Sequence, residues 1–227
     1  LKIKAKFLNL LWLIKGKYIP MKQVLVRNGK TNILDVPIPA INDNEILIKV
    51  KYSALSPGTE LNVIGSTSDS LLVKAVKNPK NLIKAFSLVK NKGISIMKEI
   101  VSQKKTDYNP IGYSAAGEII SVGGKVKNFN VGDKVACGGA KYAYHAEYIC
   151  VPSNLCVQVP KKVSLEKAST ITLGAIALQG VRRANPTMGE NFLVIGLGVI
   201  GQITAQLLKS NGCNVFGLDL NKKRVEK

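Results

Sequence analysis

The chain has 227 residues, 46% of them hydrophobic, which is enough for a packed core and excludes wholesale disorder. Its 33 Lys and Arg against 14 Asp and Glu give a formal net charge of +19; the excess is spread along the chain and is mostly lysine, so the expectation is a solvated basic surface and not a nucleic-acid or membrane partner. No apolar run reaches the ~18 residues of a membrane span, and Cys137, Cys150, Cys156 and Cys213 form no C-x-x-C pair, which reads as reduced thiols of a cytoplasmic protein.

Residues 1–20 read as an extension outside the fold. Phe7 to Ile14 is a short apolar run flanked by lysines, without a small-residue cleavage site; an amphipathic membrane-surface helix is the alternative. From Lys22 the pattern is β. Val24 to Val26 is an apolar run, Asn28-Gly29 a turn signal, and Ile33 to Val36 a second strand. Ile46, Ile48 and Val50 alternate as a half-buried strand, and Ser56-Pro57-Gly58-Thr59-Glu60 reads as a tight loop. Residues 69–105 change character. Leu82, Ile83, Phe86 and Val89, then Met97, Ile100 and Val101, recur at helical spacing with a Lys-rich outer face.

After Pro110 the pattern returns to β. Gly112, Gly117, Gly123, Gly124 and Gly132 punctuate short strands through Val135, and strands follow over Ala143 to Val151 and Leu155 to Val159. Val163 to Ala184 reads as helical. Asn191 to Ile195 and Asn214 to Leu218 read as buried strands around a helix at Gly201 to Ser210.

That last stretch carries the first chemical signal. The strand Phe192-Leu193-Val194-Ile195 runs into Gly196-Leu197-Gly198-Val199-Ile200-Gly201, a G-x-G-x-x-G, and the second strand ends at Asp219. Strand, glycines, helix, strand and acid within roughly 30 residues form a dinucleotide-binding fingerprint. Gly196 serves the tight turn, Gly198 admits the pyrophosphate, and Gly201 lets the helix pack closely. The helix N-terminus at Val199 and Ile200 offers unpaired N–H groups, and Asp219 meets the ribose hydroxyls. A carboxylate there favours NAD over NADP; Lys222, Lys223 and Arg224 weaken that preference.

Two further stretches resemble a known family. Gly117-Glu118-Ile119-Ile120-Ser121-Val122-Gly123, followed by Val126, Phe129 and Val131-Gly132-Asp133-Lys134-Val135, is similar to the signature of the GroES-like catalytic domain of medium-chain dehydrogenases, the zinc-type alcohol dehydrogenase-like superfamily. The S-x-G-T-E loop, the helical insertion, His145-Ala146-Glu147-Tyr148 and the run Leu173 to Gly180 resemble most a bidomain oxidoreductase branch associated with cell-surface polysaccharide synthesis. The resemblance implies a GroES-like β-barrel over 21–158, with the insertion at 69–105, and a truncated Rossmann domain over 159–227. It also implies a second oxidoreductase domain elsewhere, homo-oligomers of the full-length protein, and a piece inactive alone.

The resemblance also locates the chemistry. Where zinc-dependent members carry their ligands, this sequence has Pro57, Tyr113 and Leu173, none of them a usual zinc donor, so no zinc is expected. Thr59 then matches the hydroxyl that relays the substrate proton. Tyr113 is either a donor to the substrate oxygen or a packed aromatic, and Glu60 orients a neighbour or caps its loop. His145, the only histidine, and Cys137 are expected to be structural. The implied function is zinc-independent, NAD(P)-dependent hydride transfer on an alcohol, carbonyl or sugar. The competing function is a nucleotide-binding, non-catalytic scaffold.

Overall fold

The computed structural model describes residues 20–68 and 108–226. The helices expected over 69–105 and nearly all of the 1–20 extension lie outside these residues. Pro20, counted with the extension, is the first residue of strand β1 (Pro20–Arg27), and Met21 is fully buried.

β1 pairs antiparallel with β2 (Lys30–Pro37). Asn28 (φ 51°) and Gly29 (φ 73°) make the two-residue turn between them. Positive φ at both positions is the type I′ geometry whose twist matches the flanking strands. β4 (Asn109–Pro110) extends this sheet on the other side of β1.

The main sheet contains β3 (Glu45–Ser53), β5 (Ser114–Val122), β6 (Lys134–Gly138), β7 (Tyr148–Pro152) and β8 (Cys156–Gln158), in the order β7-β3-β5-β6-β8, all antiparallel. β7 and β8 lie at opposite edges, yet only a 3-10 turn, Ser153–Leu155, connects them. Three residues span at most about 10 Å, so the sheet must curl until its edges meet. The enclosed side is the barrel core: Ile46, Ile48, Ile119, Val135, Ile149 and Val151 fill it. On the outer side, Ala116 and Ala136 meet Ala168 of helix α2 (Leu165–Ala168). Small side chains on both surfaces let the helix lie close to the strands.

Several expectations need correction. Ser56 to Glu60 is not a tight loop: helix α1 (Pro57–Ser68) starts there, with Pro57 at the first helical position, where its missing N–H costs nothing. Ala143 to Val151 is not one strand. Residues 143–147 form a bend with a single bridge, Ala146 to Gln23, so His145 lies outside any strand. Leu155 belongs to the 3-10 turn, and β8 is three residues long. Val163 to Ala184 breaks at Ser169 and Thr170 into α2 and α3 (Ile171–Ala184). Gly117 sits inside β5 and does not punctuate it; a Cβ there would lie 2.2 Å from Lys49 O on β3.

The C-terminal part is a parallel β-α-β unit: β9 (Asn191–Ile195), α4 (Val199–Ser210) and β10 (Asn214–Leu218), followed by α5 (Lys222–Val225). Phe192, Val194 and Val215 pack on Val181 of α3 and Leu208 of α4. The strands are buried on this face alone. Leu193, Ile195, Phe216 and Leu218 point the other way and are exposed, contrary to the expectation of strands buried throughout; no described element covers that side.

Candidate active site and dinucleotide cleft

Each glycine of the fingerprint has a distinct job. Gly196 adopts φ +92°, a backbone state that L side chains disfavour. A Cβ on Gly201 would lie 1.9 Å from Gly196 O, so α4 can start against this turn only if Gly201 has no side chain. Gly198 is the residue before α4, and nothing lies within 4 Å of where its Cβ would be. The approach to the helix N-terminus is therefore open. The first-turn amides of Val199, Ile200 and Gly201 have no intrahelical acceptor, and together with the helix dipole they suit a phosphate.

Asp219 stands at the end of β10, beside an open cleft of about 990 Å³ whose lining includes Ile195, Gly196, Leu218, Asn221 and Arg224. Its Oδ2 accepts from Leu197 N–H at 2.7 Å and its Oδ1 from Asn221 N–H at 2.8 Å. Arg224 Nη1 lies 3.4 Å from Oδ2. The N–H of Asn221, then that of Leu197, and the Arg224 charge hold the carboxyl below the usual carboxylate range. The carboxylate is thus oriented by the glycine turn itself, with lone-pair capacity left for a hydroxyl from the cleft. This donor set fits a dinucleotide.

The second cluster forms around His145. Its Nε2 lies 3.2 Å from Glu60 Oε1, and its Nδ1 lies 2.8 Å from Ser53 Oγ. A carboxylate oxygen accepts, so Nε2–H donates to Glu60, while Nδ1 shares a hydrogen bond with the serine hydroxyl. Glu60 Oε1 also accepts from Ser56 N–H at 2.9 Å, closing the start of α1 as a capping box does. Glu60 therefore both caps the helix and orients a neighbour. Thr59, one residue earlier, is exposed, and its Oγ1 accepts from Ser56 Oγ at 3.4 Å.

The segment that precedes Tyr113 meets the same cluster through its backbone. His145 N–H donates to Ile111 O at 2.9 Å. Gly112, at φ +106°, leaves room for the imidazole: a Cβ there would come within 3.0 Å of the ring. Tyr113 O in turn accepts from Gly139 N–H and from Thr172 Oγ1 at 3.2 Å, which ties it to β6 and α3. His145 thus joins the start of α1 at Glu60 to Ile111 and Gly112, next to Tyr113. Sequence reasoning set His145 aside, and it missed Ser53; the one available signal was that the chain has a single histidine, in a predicted strand.

At the positions matched to zinc ligands, Pro57 offers no donor, Leu173 is buried in the core of α3, and Tyr113 is a phenol. The nearby His145 and Glu60 are committed to each other and to Ser53 and Ser56. These residues do not fit a zinc site.

Comparisons with known proteins agree with this geometry. Residues 83–161 match the alcohol dehydrogenase GroES-like domain. The chain is 28% identical to (R,R)-butanediol dehydrogenase of Bacillus subtilis over 141 residues, 52% of this chain and 41% of that protein. It is 26% identical to sorbitol dehydrogenase of Bombyx mori over 231 residues, 89% of this chain and 57% of that protein. The chain therefore spans about half the length of these curated relatives. Among solved structures, the quinone oxidoreductase of Coxiella burnetii superposes with a TM-score of 0.67 at 24% identity, over 90% of this chain and 58% of that one. In its GroES-like barrel and its β-α-β unit the chain is thus similar to alcohol and polyol dehydrogenases of the medium-chain type.

Proposed function

We propose that the protein is a zinc-independent, NAD(P)-dependent dehydrogenase that moves hydride between nicotinamide and an alcohol or carbonyl, with a sugar or polyol as the substrate class. The observation that carries this is Gly196 and Asp219 lining one cleft, with the Asp219 carboxylate holding the N–H of Leu197 in the turn that leads into α4. In this proposal residues 21–158 are the catalytic unit and 159–227 the cofactor unit. Gly196, Gly198, Val199, Ile200 and Gly201 hold the phosphates, and Asp219 holds the ribose and favours NAD. When bound, the cofactor supplies or accepts the hydride. Thr59 relays the hydroxyl proton, Tyr113 donates to the substrate oxygen, and Glu60 and His145 hold both segments in place. The absence of zinc donors at Pro57, Tyr113 and Leu173 supports giving the oxygen a hydrogen-bond donor in place of a metal. The branch resemblance adds a cytoplasmic role in polysaccharide synthesis beside a second oxidoreductase domain.

The test uses the full-length protein. NADH and NADPH are titrated by fluorescence, and turnover on a polyol and sugar panel is followed by nicotinamide absorbance, with Thr59→Ala and Tyr113→Phe alongside. A clear NADPH preference overturns the role of Asp219. Turnover unaffected by both variants overturns the catalytic assignments, and stoichiometric zinc in the purified protein overturns zinc independence. Nucleotide binding without turnover on any substrate favours the scaffold.

A further inference from the structure

Cys137 of β6 and Cys156 of β8 are direct cross-strand partners. The hydrogen bond from Val159 N–H to Lys134 O sets the phase of this antiparallel ladder. The 134/159 and 136/157 pairs exchange hydrogen bonds, so Cys137 and Cys156 occupy a non-hydrogen-bonded position between them. There Cα atoms are about 4.5 Å apart and side chains approach most closely, inside the roughly 4.4–6.8 Å that a disulfide bridges. Both side chains point into the barrel core, both are free thiols, and the two interact directly. Their other bonds are weak: Cys137 Sγ donates to Ala115 O at 3.4 Å, and Cys156 Sγ to Pro152 O at 3.6 Å.

We propose that Cys137 and Cys156 form a latent dithiol site that closes to an intramolecular disulfide on reaction with a low-molecular-weight disulfide. The access route is β8, a three-residue edge strand that, among the described residues, pairs with β6 alone. In the closed fold, contact with Cys137 and burial keep the Cys156 thiol protonated. When β8 lifts, Cys156 loses its proton to solvent and the thiolate attacks one sulfur of the reagent. The reagent's S–S bond breaks, and one small thiol leaves with a proton. The Cys137 thiolate then attacks the Cys156 sulfur, the protein S–S bond forms, and the second small thiol leaves. Two electrons pass from the protein thiols to the reagent. Cys150 is a poor competitor: its thiol donates to Glu45 Oε2 at 3.2 Å, and burial with that carboxylate pushes it up to about 12. Cys213 lies in the other core. The link would pin β6 next to Gly139, whose N–H holds Tyr113 O, and so stiffen the backbone behind a site residue.

The experiment incubates the full-length folded protein with excess oxidised glutathione, checks by circular dichroism that it stays folded, and then denatures, alkylates and maps it without reduction. The expected result is two thiols protected, one peptide linking Cys137 to Cys156, reversal by dithiothreitol, and a higher melting temperature for the oxidised form. Cys156→Ala should leave Cys137 fully alkylated. Every cysteine alkylated in the folded, treated protein, a glutathione adduct alone, or a link through Cys150 or Cys213 would each overturn the proposal.

Discussion

The imidazole of His145 and the carboxylate of Glu60 meet at 3.2 Å with both side chains about nine-tenths buried. They are far apart in sequence, and their contact fixes where α1 begins relative to the Ile111–Tyr113 segment. Removing the ring leaves the buried carboxylate, among the described residues, with the Ser56 N–H alone. His145→Ala is therefore expected to cost about 1–3 kcal/mol, the usual penalty for a buried polar group left unpaired. Glu60→Gln keeps an acceptor for Ser56 N–H and His145 Nε2–H, so it should cost less. Urea unfolding midpoints of the two variants check the order. Equal loss in both would show that charge, not hydrogen bonding, dominates the contact.

This contact also marks what the sequence could not disclose. The β9-α4-β10 unit was legible because its signals are local: two apolar runs, three glycines and an acid at the spacing a phosphate-binding turn needs. The Asn28-Gly29 hairpin was legible for the same reason. Ser56-Pro57-Gly58 was misread because proline and glycine signal turns, whereas proline at the first helical position signals a helix start equally well. The backbone around His145 differs from the expected strand, although Ala143 to Val151 has strand-like composition. Its backbone instead bends, with Gly139 at φ +124° ahead of it, to bring the ring onto Glu60. No local pattern encodes a partner so distant. Residue type alone also did not show that one face of β9 and β10 is exposed, because apolar side chains alternate with other apolar side chains on both strands.

Gly201 and Gly198 should respond differently to the same added methyl group. Gly201→Ala places Cβ against Gly196 O, a rigid backbone atom, so the helix must move off the turn. The expected cost is about 1–3 kcal/mol, typical of overpacking, together with weakened nucleotide binding. Gly198→Ala meets nothing within 4 Å, so thermal stability should hold while affinity for NADH falls, since the methyl group occupies the approach to the α4 amides. Melting curves and fluorescence titrations on the full-length protein separate the two. Unchanged NADH affinity in Gly198→Ala would place the phosphates elsewhere.

Gly117 gives a test of the barrel alone. It pairs with Val50 and Val135 in the middle of the main sheet. An added Cβ would overlap Lys49 O and press on the Ile48 side chain. The β3–β5 pairing also shifts register next to this position, between Val50 and Tyr52. Gly117→Ala should lower stability by more than the roughly 1 kcal/mol spread of strand propensities. Gly132→Ala meets no neighbour and tests φ strain alone, at +94°. A milder effect at Gly117 than at Gly132 would contradict the observed packing.

Asp219 carries a pH dependence whose sign follows from its partners. The N–H groups of Asn221 and Leu197, aided by Arg224, bond its charged form and depress its folded-state pKa below the unfolded value. Such a group contributes stability that is present above the unfolded carboxylate pKa, about 3.9, and is lost as pH falls through the lower folded value. At neutral pH, Asp219→Asn should therefore be less stable than the parent. The gap should close on acidification below the ordinary carboxylate range, where the parent's own carboxyl takes up a proton. The same variant leaves Arg224 without its anion beside the cleft, so relative affinity should move from NADH toward NADPH. Thermal unfolding across an acid-to-neutral pH series, paired with both nucleotide titrations, reads the two effects separately. A stability gap that widens on acidification would mean that the amides of Leu197 and Asn221 do not hold the charged carboxylate.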